Sequence, residues 1–219
     1  MQRSDLELLE AWRGGDLSAG NELFHRHFDA VCRFFANKVH EDVDDLIQRT
    51  FLGCVEGRER LRGDTGFRGY LFGVARNVLR RYFRDKRYFR ERFAGLEISA
   101  EDVAPGPSLL LAEKREQQLL LRALRALPLD HQITLELYYW ESLSGRELAE
   151  ILEVPEGTVR GRIRRAKELL QEKLTELAAS PEHLQTTLAN LESWARSLRE
   201  QAVRRGLDVH TGSTPGEPS

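Results

Sequence analysis

The chain has 219 residues, 31% charged and 41% apolar, which suits one or two domains with a core of modest size. Its formal net charge of −2 implies no general affinity for polyanions, and its two cysteines, Cys32 and Cys54, make neither a disulfide framework nor a Cys-rich zinc site. No apolar run approaches the ~20 residues needed to span a bilayer, and the N-terminal MQRSDLELLE lacks a signal-peptide core, so a cytoplasmic protein without membrane insertion is expected.

Charge is unevenly placed. From Arg76 to Arg92 eight Lys/Arg face two acids, whereas from Glu97 to Glu116 five acids face two bases. Local potential guides association, so the near-neutral total hides basic faces separated by an acidic middle.

The first predicted helix runs from Ser4 to Gly14, with Leu6, Leu9 and Trp12, or Leu8 and Trp12, turned inward. Ala19 to Val39 is a second, with Leu23, Phe24, Phe28, Val31, Cys32, Phe35 and Val39 in register. His25 and His27 are two residues apart and point to different sides of that helix, which argues against a metal pair. Asp42 to Val55 is a third helix, DVDDLIQRTFLGCV. Val43, Leu46, Ile47, Thr50, Phe51 and Cys54 form its inner face and Asp44, Asp45, Gln48, Arg49 and Leu52 its outer one. Acids in a first helical turn also favour the macrodipole, an ordinary account of Asp44 and Asp45.

Gly57 to Gly69 is a polar connection long enough to suggest a functional loop. Phe67 to Phe83 is then an amphipathic helix, with Leu71, Val74, Ala75, Val78, Leu79 and Tyr82 toward the core. Arg76, Asn77, Arg80, Arg81 and Arg84 face away. The interleaving of bases with Tyr82, Phe83, Tyr88, Phe89 and Phe93 has the ingredients for single-stranded nucleic acid: phosphate contacts plus stacking of ~1–3 kcal/mol per base.

GLEISAEDVAPGPS, residues 95–108, reads as an acidic flexible linker. It divides an N-terminal domain (1–94) from a C-terminal one (109–179). In the latter, helices are expected over Leu109–Leu127 and Asp130–Trp140. SGRELAEILEVPEGTVRGRIRRAKELLQEKL follows, with a bend between two helices. Leu148, Ile151 and Leu152 repeat at helical spacing, and Pro155 suits the first position of the next helix. Val159, Ile163, Ala166, Leu170 and Leu174 form one stripe, and Arg160, Arg162, Arg164, Arg165 and Lys167 take most of the remaining surface. A short helix, a turn and a basic second helix match a helix-turn-helix whose second helix enters a DNA major groove. Glu153 stands where many such turns carry Gly. Residues 180–205 are expected to form an additional amphipathic helix with Leu184, Leu188, Leu191, Trp194, Ala195 and Leu198, and 206–219 a disordered tail.

The order of these pieces resembles an ECF-type bacterial RNA polymerase sigma factor, here with a C-terminal extension. DVDDLIQRTFL resembles the polymerase-clamp-binding helix, and LRGDTGFRGYLFGVARNVLRRYFR the promoter-melting and −10-reading segment. LRALPLDHQITLELYYWESLSGRELAEIL resembles the start of the C-terminal domain, and VPEGTVRGRIRRAKELL the −35 recognition helix. The resemblance implies an all-α protein of two helical domains that is not an enzyme and has no cofactor, metal or catalytic residue. Its function would be to bind core RNA polymerase at clamp and flap and direct promoter-specific initiation.

It also implies residue roles. Asp44, Asp45, Gln48, Arg49 and Leu52 would face the polymerase, with Arg49 where the family often has an acid. Leu61, Asp64, Thr65 and Phe67 belong to a loop that captures a base flipped from the melted non-template strand. Tyr70 stands where the family usually has Trp. Asn77 and Arg80 would meet the −10 duplex edge and Arg76, Arg81 and Arg84 phosphates. Arg160, Arg164 and Arg165 would read −35 base edges or adjacent phosphates, with Arg162 and Lys167 on phosphates. An anti-sigma factor or other regulator is a further implied partner. Free protein is expected to bind promoter DNA poorly, because nothing fixes the two halves relative to each other. A stand-alone helix-turn-helix regulator would account for the C-terminal half, but the first half lacks the strand–helix alternation of a receiver or ligand domain. An enzyme built on His25, His27, Asp44 and Asp45 lacks a nucleophile–base pair or phosphate loop.

Overall fold

A computed structural model describes residues 3–39, 41–60, 66–91 and 115–177. These form eight α-helices and one 3₁₀ turn, Arg58–Arg60, and no strand occurs among the described residues. The expected linker (95–108), the additional helix (180–205) and the tail (206–219) lie outside them, as do Leu61, Asp64 and Thr65.

The N-terminal unit comprises α1 (Asp5–Arg13), α2 (Leu17–Ala36), α3 (Val43–Glu56) and α4 (Phe67–Glu91). Local sequence starts its first two helices. Ser4 and Glu7 form a reciprocal capping box on α1, and the Asp16 carboxylate accepts from the amides of Ser18 and Ala19 at the start of α2. Leu8, Trp12, Leu23, Val31, Phe35, Leu46, Cys54, Leu71 and Leu79 then bury their side chains together. Phe28, expected inside, is 39% exposed and stacks on Phe51 with ring centroids 6.1 Å apart. Helix α4 runs two turns beyond the expected end at Phe83, as no Gly or Pro interrupts it there.

The C-terminal unit comprises α5 (Arg115–Arg125), α6 (Leu129–Tyr139), α7 (Gly145–Leu152) and α8 (Glu156–Leu177). A second capping box, Ser144 with Glu147, opens α7. Leu120, Leu121, Leu124, Leu127, Leu135, Trp140, Ala166, Leu170 and Leu174 make one cluster between α5, α6 and α8. The turn between α7 and α8 is made by Glu153 in the left-handed conformation, φ 57° and ψ 44°. Pro155 sits just before α8 rather than at its first position, and its carbonyl accepts from Thr158 and Val159.

The two units are not independent halves. Ile133, Leu137, Leu143, Leu148, Ile151 and Leu152 of the second join the same apolar cluster as the core of the first. Polar groups line the rest of the seam. Lys38, fully buried, donates to the Glu136 carboxylate, to which Asn37 and Gln132 also donate at 2.9 Å each. The Arg33 guanidinium reaches Glu141 at 3.0 Å, Arg68 donates to the same carboxylate at 3.1 Å, and Arg125 donates to the Asn37 carbonyl at 3.3 Å. Burial pushes the Lys38 ammonium below its ordinary pKa, and Glu136 pulls it back up. The expectation that nothing fixes the two halves is therefore corrected: a direct interface fixes them.

Candidate polymerase and nucleic-acid interfaces

Three surfaces carry the residues singled out in the sequence. The first is the outer face of α3. With Leu46, Ile47, Thr50 and Cys54 buried at helical spacing, Asp44, Asp45, Gln48, Arg49 and Leu52 are left exposed along the opposite side. Asp45 and Arg49 pair across one turn at 2.8 Å. The acid at the centre of this face thus already has a cationic partner, though both are exposed and such pairs contribute only ~0.3–0.5 kcal/mol. Leu52 is 57% exposed and Val55, three residues on, is exposed too, while Phe28 stacks on Phe51 of the same helix. Phe28 reads as a core residue in the sequence because its register on α2 follows Phe24.

The second surface is α4. Asn77, Arg80, Arg81 and Arg84 are exposed on it. Arg76, expected beside them, is only 2% exposed: one of its terminal nitrogens donates to the Ile151 carbonyl at 3.2 Å, and the other lies 3.6 Å from Asp130. Burial, and after it the neighbouring Arg80 charge, holds its pKa below the ordinary guanidinium value, against the pull of Asp130. Arg80 donates to the same Asp130 carboxylate at 3.1 Å.

Phe67 departs further from its expected role. It is a core residue, 2% exposed, with its ring 6.2 Å from that of Trp12, 6.1 Å from Phe24 and 5.5 Å from His27. It anchors the start of α4 and presents no face to a strand of DNA. Tyr70 is half-buried, and its hydroxyl donates to the Gly53 carbonyl at 3.4 Å. A Cβ on Gly57 would lie 2.0 Å from that hydroxyl, so the glycine is what admits the ring.

The third surface is α8. Its stripe of Val159, Ala166, Leu170 and Leu174 is buried, with Ile163 half-buried beside it. The side chains of Arg160 and Arg164 are each 82% exposed and lie one turn apart. Arg160 pairs with Glu156 at 3.6 Å, Arg164 with Glu168 at 3.9 Å, and Arg165 with Glu168 at 3.2 Å. Lys167 rests over the Tyr138 and Tyr139 rings. Arg162 is half-buried, with one terminal nitrogen lacking a hydrogen-bond partner among the described residues. Gly157 and Gly161 carry no sequence signal of a role. Nothing lies within 4 Å of where their Cβ atoms would be, so packing does not demand them, although each costs a helix interior ~1 kcal/mol. They leave the surface beside Arg160 and Arg164 bare, where another backbone can approach closely.

No helix among the described residues is long and apolar enough to cross a membrane, and no group of three His, Cys, Asp or Glu among them is placed to hold a metal ion.

Comparison with known proteins defines the class. Residues 22–88 match the Sigma-70 region 2 family and residues 117–170 the Sigma-70, region 4 family, one on each helical unit. The chain belongs to the sigma-70 family: it binds core RNA polymerase and directs promoter-specific initiation of transcription. Within that family it is an ECF sigma factor. It is 29% identical over 185 residues to the ECF RNA polymerase sigma-E factors of Salmonella typhimurium LT2 and Escherichia coli K12, matching 80% of this chain and 97% of each relative. Two solved structures share the fold. CnrH in complex with the cytosolic domain of CnrY matches with a TM-score of 0.59 and 23% identity, over 80% of this chain and 99% of that one. The sigma factor RpoE in complex with the anti-sigma factor NepR from Bartonella quintana matches with a TM-score of 0.58 and 21% identity, over 71% and 96%.

Proposed function

We propose that the three surfaces divide the work of initiation. The outer face of α3 docks on the polymerase clamp through Asp44, Asp45, Gln48, Arg49 and Leu52. The exposed row of α4, with the loop at 61–65, reads and opens the −10 element. The helix-turn-helix reads the −35 element through Arg160, Arg164 and Arg165, with Lys167 on phosphate and the flap as a second polymerase contact. The observation that carries this reading is the split of α3: Leu46 and Ile47 are buried while Asp44, Asp45 and Gln48 stand outward, Asp45 in an exposed pair with Arg49. On α8, Gly157 and Gly161 beside Arg160 and Arg164 support close approach to a groove.

The protein works in the cytoplasm, is not itself an enzyme, and needs no cofactor for this role. A regulator that covers one of these surfaces fits the same scheme, as a solved relative is bound to an anti-sigma factor.

Two double variants test the assignment by co-purification with core polymerase and run-off transcription on a promoter library. Asp45→Ala with Gln48→Ala loses core association, whereas Arg160→Ala with Arg165→Ala keeps it and loses promoter choice. Full core association in the first, or unchanged promoter choice in the second, overturns the corresponding role.

A further inference from the structure

One acid stands among the arginines of α8. No Asp or Glu occurs from Gly157 to Lys167, and the first that follows is Glu168. It comes seven residues after Gly161, close to two helical turns, and so lies on the side of α8 that the glycines leave bare. Its side chain is 51% exposed, so burial does not account for it. A carboxylate on that side repels DNA phosphates and lowers affinity for any duplex. Its contacts are with two arginines. Oε1 lies 3.9 Å from Nε of Arg164, and Oε2 accepts from Nη1 of Arg165 at 3.2 Å. Glu172 approaches the same Arg165 nitrogen at 3.6 Å.

We propose that Glu168 is a positioning residue for −35 recognition: by bridging Arg164 and Arg165 it aims both guanidinium groups and sharpens the choice between promoters, while lowering general affinity for DNA. This rests on the reading of α8 as the −35 helix. A guanidinium carries five N–H donors in a rigid plane, and recognition of guanine uses two of them side by side. With Nε of Arg164 and Nη1 of Arg165 turned to carboxylates, the Nη1–Nη2 edge of Arg164 and the Nε–Nη2 edge of Arg165 make no other ion pair or hydrogen bond among the described residues. Each arginine thus keeps a two-donor edge to present while it is held from another edge. An arginine held this way has already given up part of its side-chain freedom, so it meets a fitting base edge at a lower entropic cost. Reaching for a phosphate instead means leaving the carboxylate, which weighs against the wrong sequence more than against the right one.

The test uses holoenzyme assembled from the full chain and core polymerase, initiating on the highest-ranking promoter of a library and on its single-base-pair −35 variants. Arg164→Ala and Arg165→Ala first mark the positions that each arginine reads. Glu168→Gln is expected to lower discrimination at those same positions by about three- to tenfold, part of the factor a bidentate arginine contributes, and to bind random-sequence duplex more tightly. Glu168→Asp keeps the charge but draws the carboxylate back by one methylene, and is expected to relax the same positions without the gain on random duplex. Glu176→Gln, an equal charge change farther along α8, leaves every position as in wild type. A purely structural ion pair would lower the thermal midpoint and leave the promoter ratios untouched, and that result overturns the proposal. Full discrimination in Glu168→Asp, or equal loss in Glu176→Gln, makes charge alone responsible and overturns it too. So does loss at a position that neither arginine marks, which would make Glu168 itself the reader. If neither arginine marks any position, the −35 reading of these two arginines fails, and the proposal with it.

Discussion

His27 couples the fold to pH. Its Nε2 lies 2.7 Å from the Asp5 carboxylate, and burial lowers its pKa despite the opposing pull of that acid. Burial alone would raise the Asp5 pKa, but hydrogen bonds from Arg26 and His27 together hold it below the ordinary value. The resting pair is thus a neutral imidazole donating to a carboxylate. The unfolded chain takes up a proton at His27 near pH 6.5, whereas the folded chain resists until lower pH. Stability therefore falls as pH drops through about 6.5 and levels off below the folded pKa, by up to ~1.4 kcal/mol per unit of depression. Asp5 acts in a separate window, losing its contribution only below its unfolded value of about 3.9. His131, depressed by burial and then by Arg162, adds to the first window. Thermal melts from pH 7.5 to 5 are expected to show a falling midpoint for wild type and a shallower fall for His27→Gln.

Single residues were legible in the sequence where one helix face decides them, as on α3. They were not where a distant segment decides. Arg76 reads as solvated because the carbonyl that accepts its proton belongs to Ile151, far along the chain. Phe67 reads as part of a loop because Trp12 and Phe24, which enclose it, come from two other helices.

At the level of elements, the turn of the helix-turn-helix holds a reserve of stability. Glu153 occupies a left-handed backbone that penalises a Cβ by ~1 kcal/mol, at a position where glycine commonly ends a helix. Glu153→Gly is expected to raise the thermal midpoint of the intact chain by about 2–4 °C if that whole penalty is relieved. An unchanged or lower midpoint would mean that the attraction between Glu153 and the Arg76 charge matters more than the backbone. Helices with one apolar stripe at a period near 3.6 were readable, as α8 shows from Val159 to Leu174, whereas α6 is buried along every residue from Gln132 to Leu137. Element ends were less so. Helix α4 continues past Phe83 through residues whose charge suggested only a polar surface, and Pro155 stands one place earlier than its preference for a first helical position implied.

For the molecule as a whole, the Lys38–Glu136 pair is a deeply buried ionic contact between the halves. Removing one member of a buried pair strands the other, typically at a cost of ~3–5 kcal/mol, whereas replacing both with apolar groups is often neutral or favourable. Here a stranded Lys38 has an escape, since parting the seam returns it to water. Glu136→Leu is thus expected to enlarge the particle in solution scattering with little change in helicity by circular dichroism, and Lys38→Met with Glu136→Leu to remain compact. The apolar part of this interface was not anticipated: on α6, Ile133 and Leu137 serve the first unit's core while Leu135 serves the second's, and a stripe pattern cannot say which partner a face will choose.

The concealment of Arg76 beneath the second unit reaches beyond the molecule. A chromosome offers ~10⁶–10⁹ stretches of irrelevant duplex that compete for any exposed cationic helix. A chain that keeps its arginines occupied internally is not drained into that sink, so even a small cellular supply stays in solution, where the transcribing enzyme can collect it.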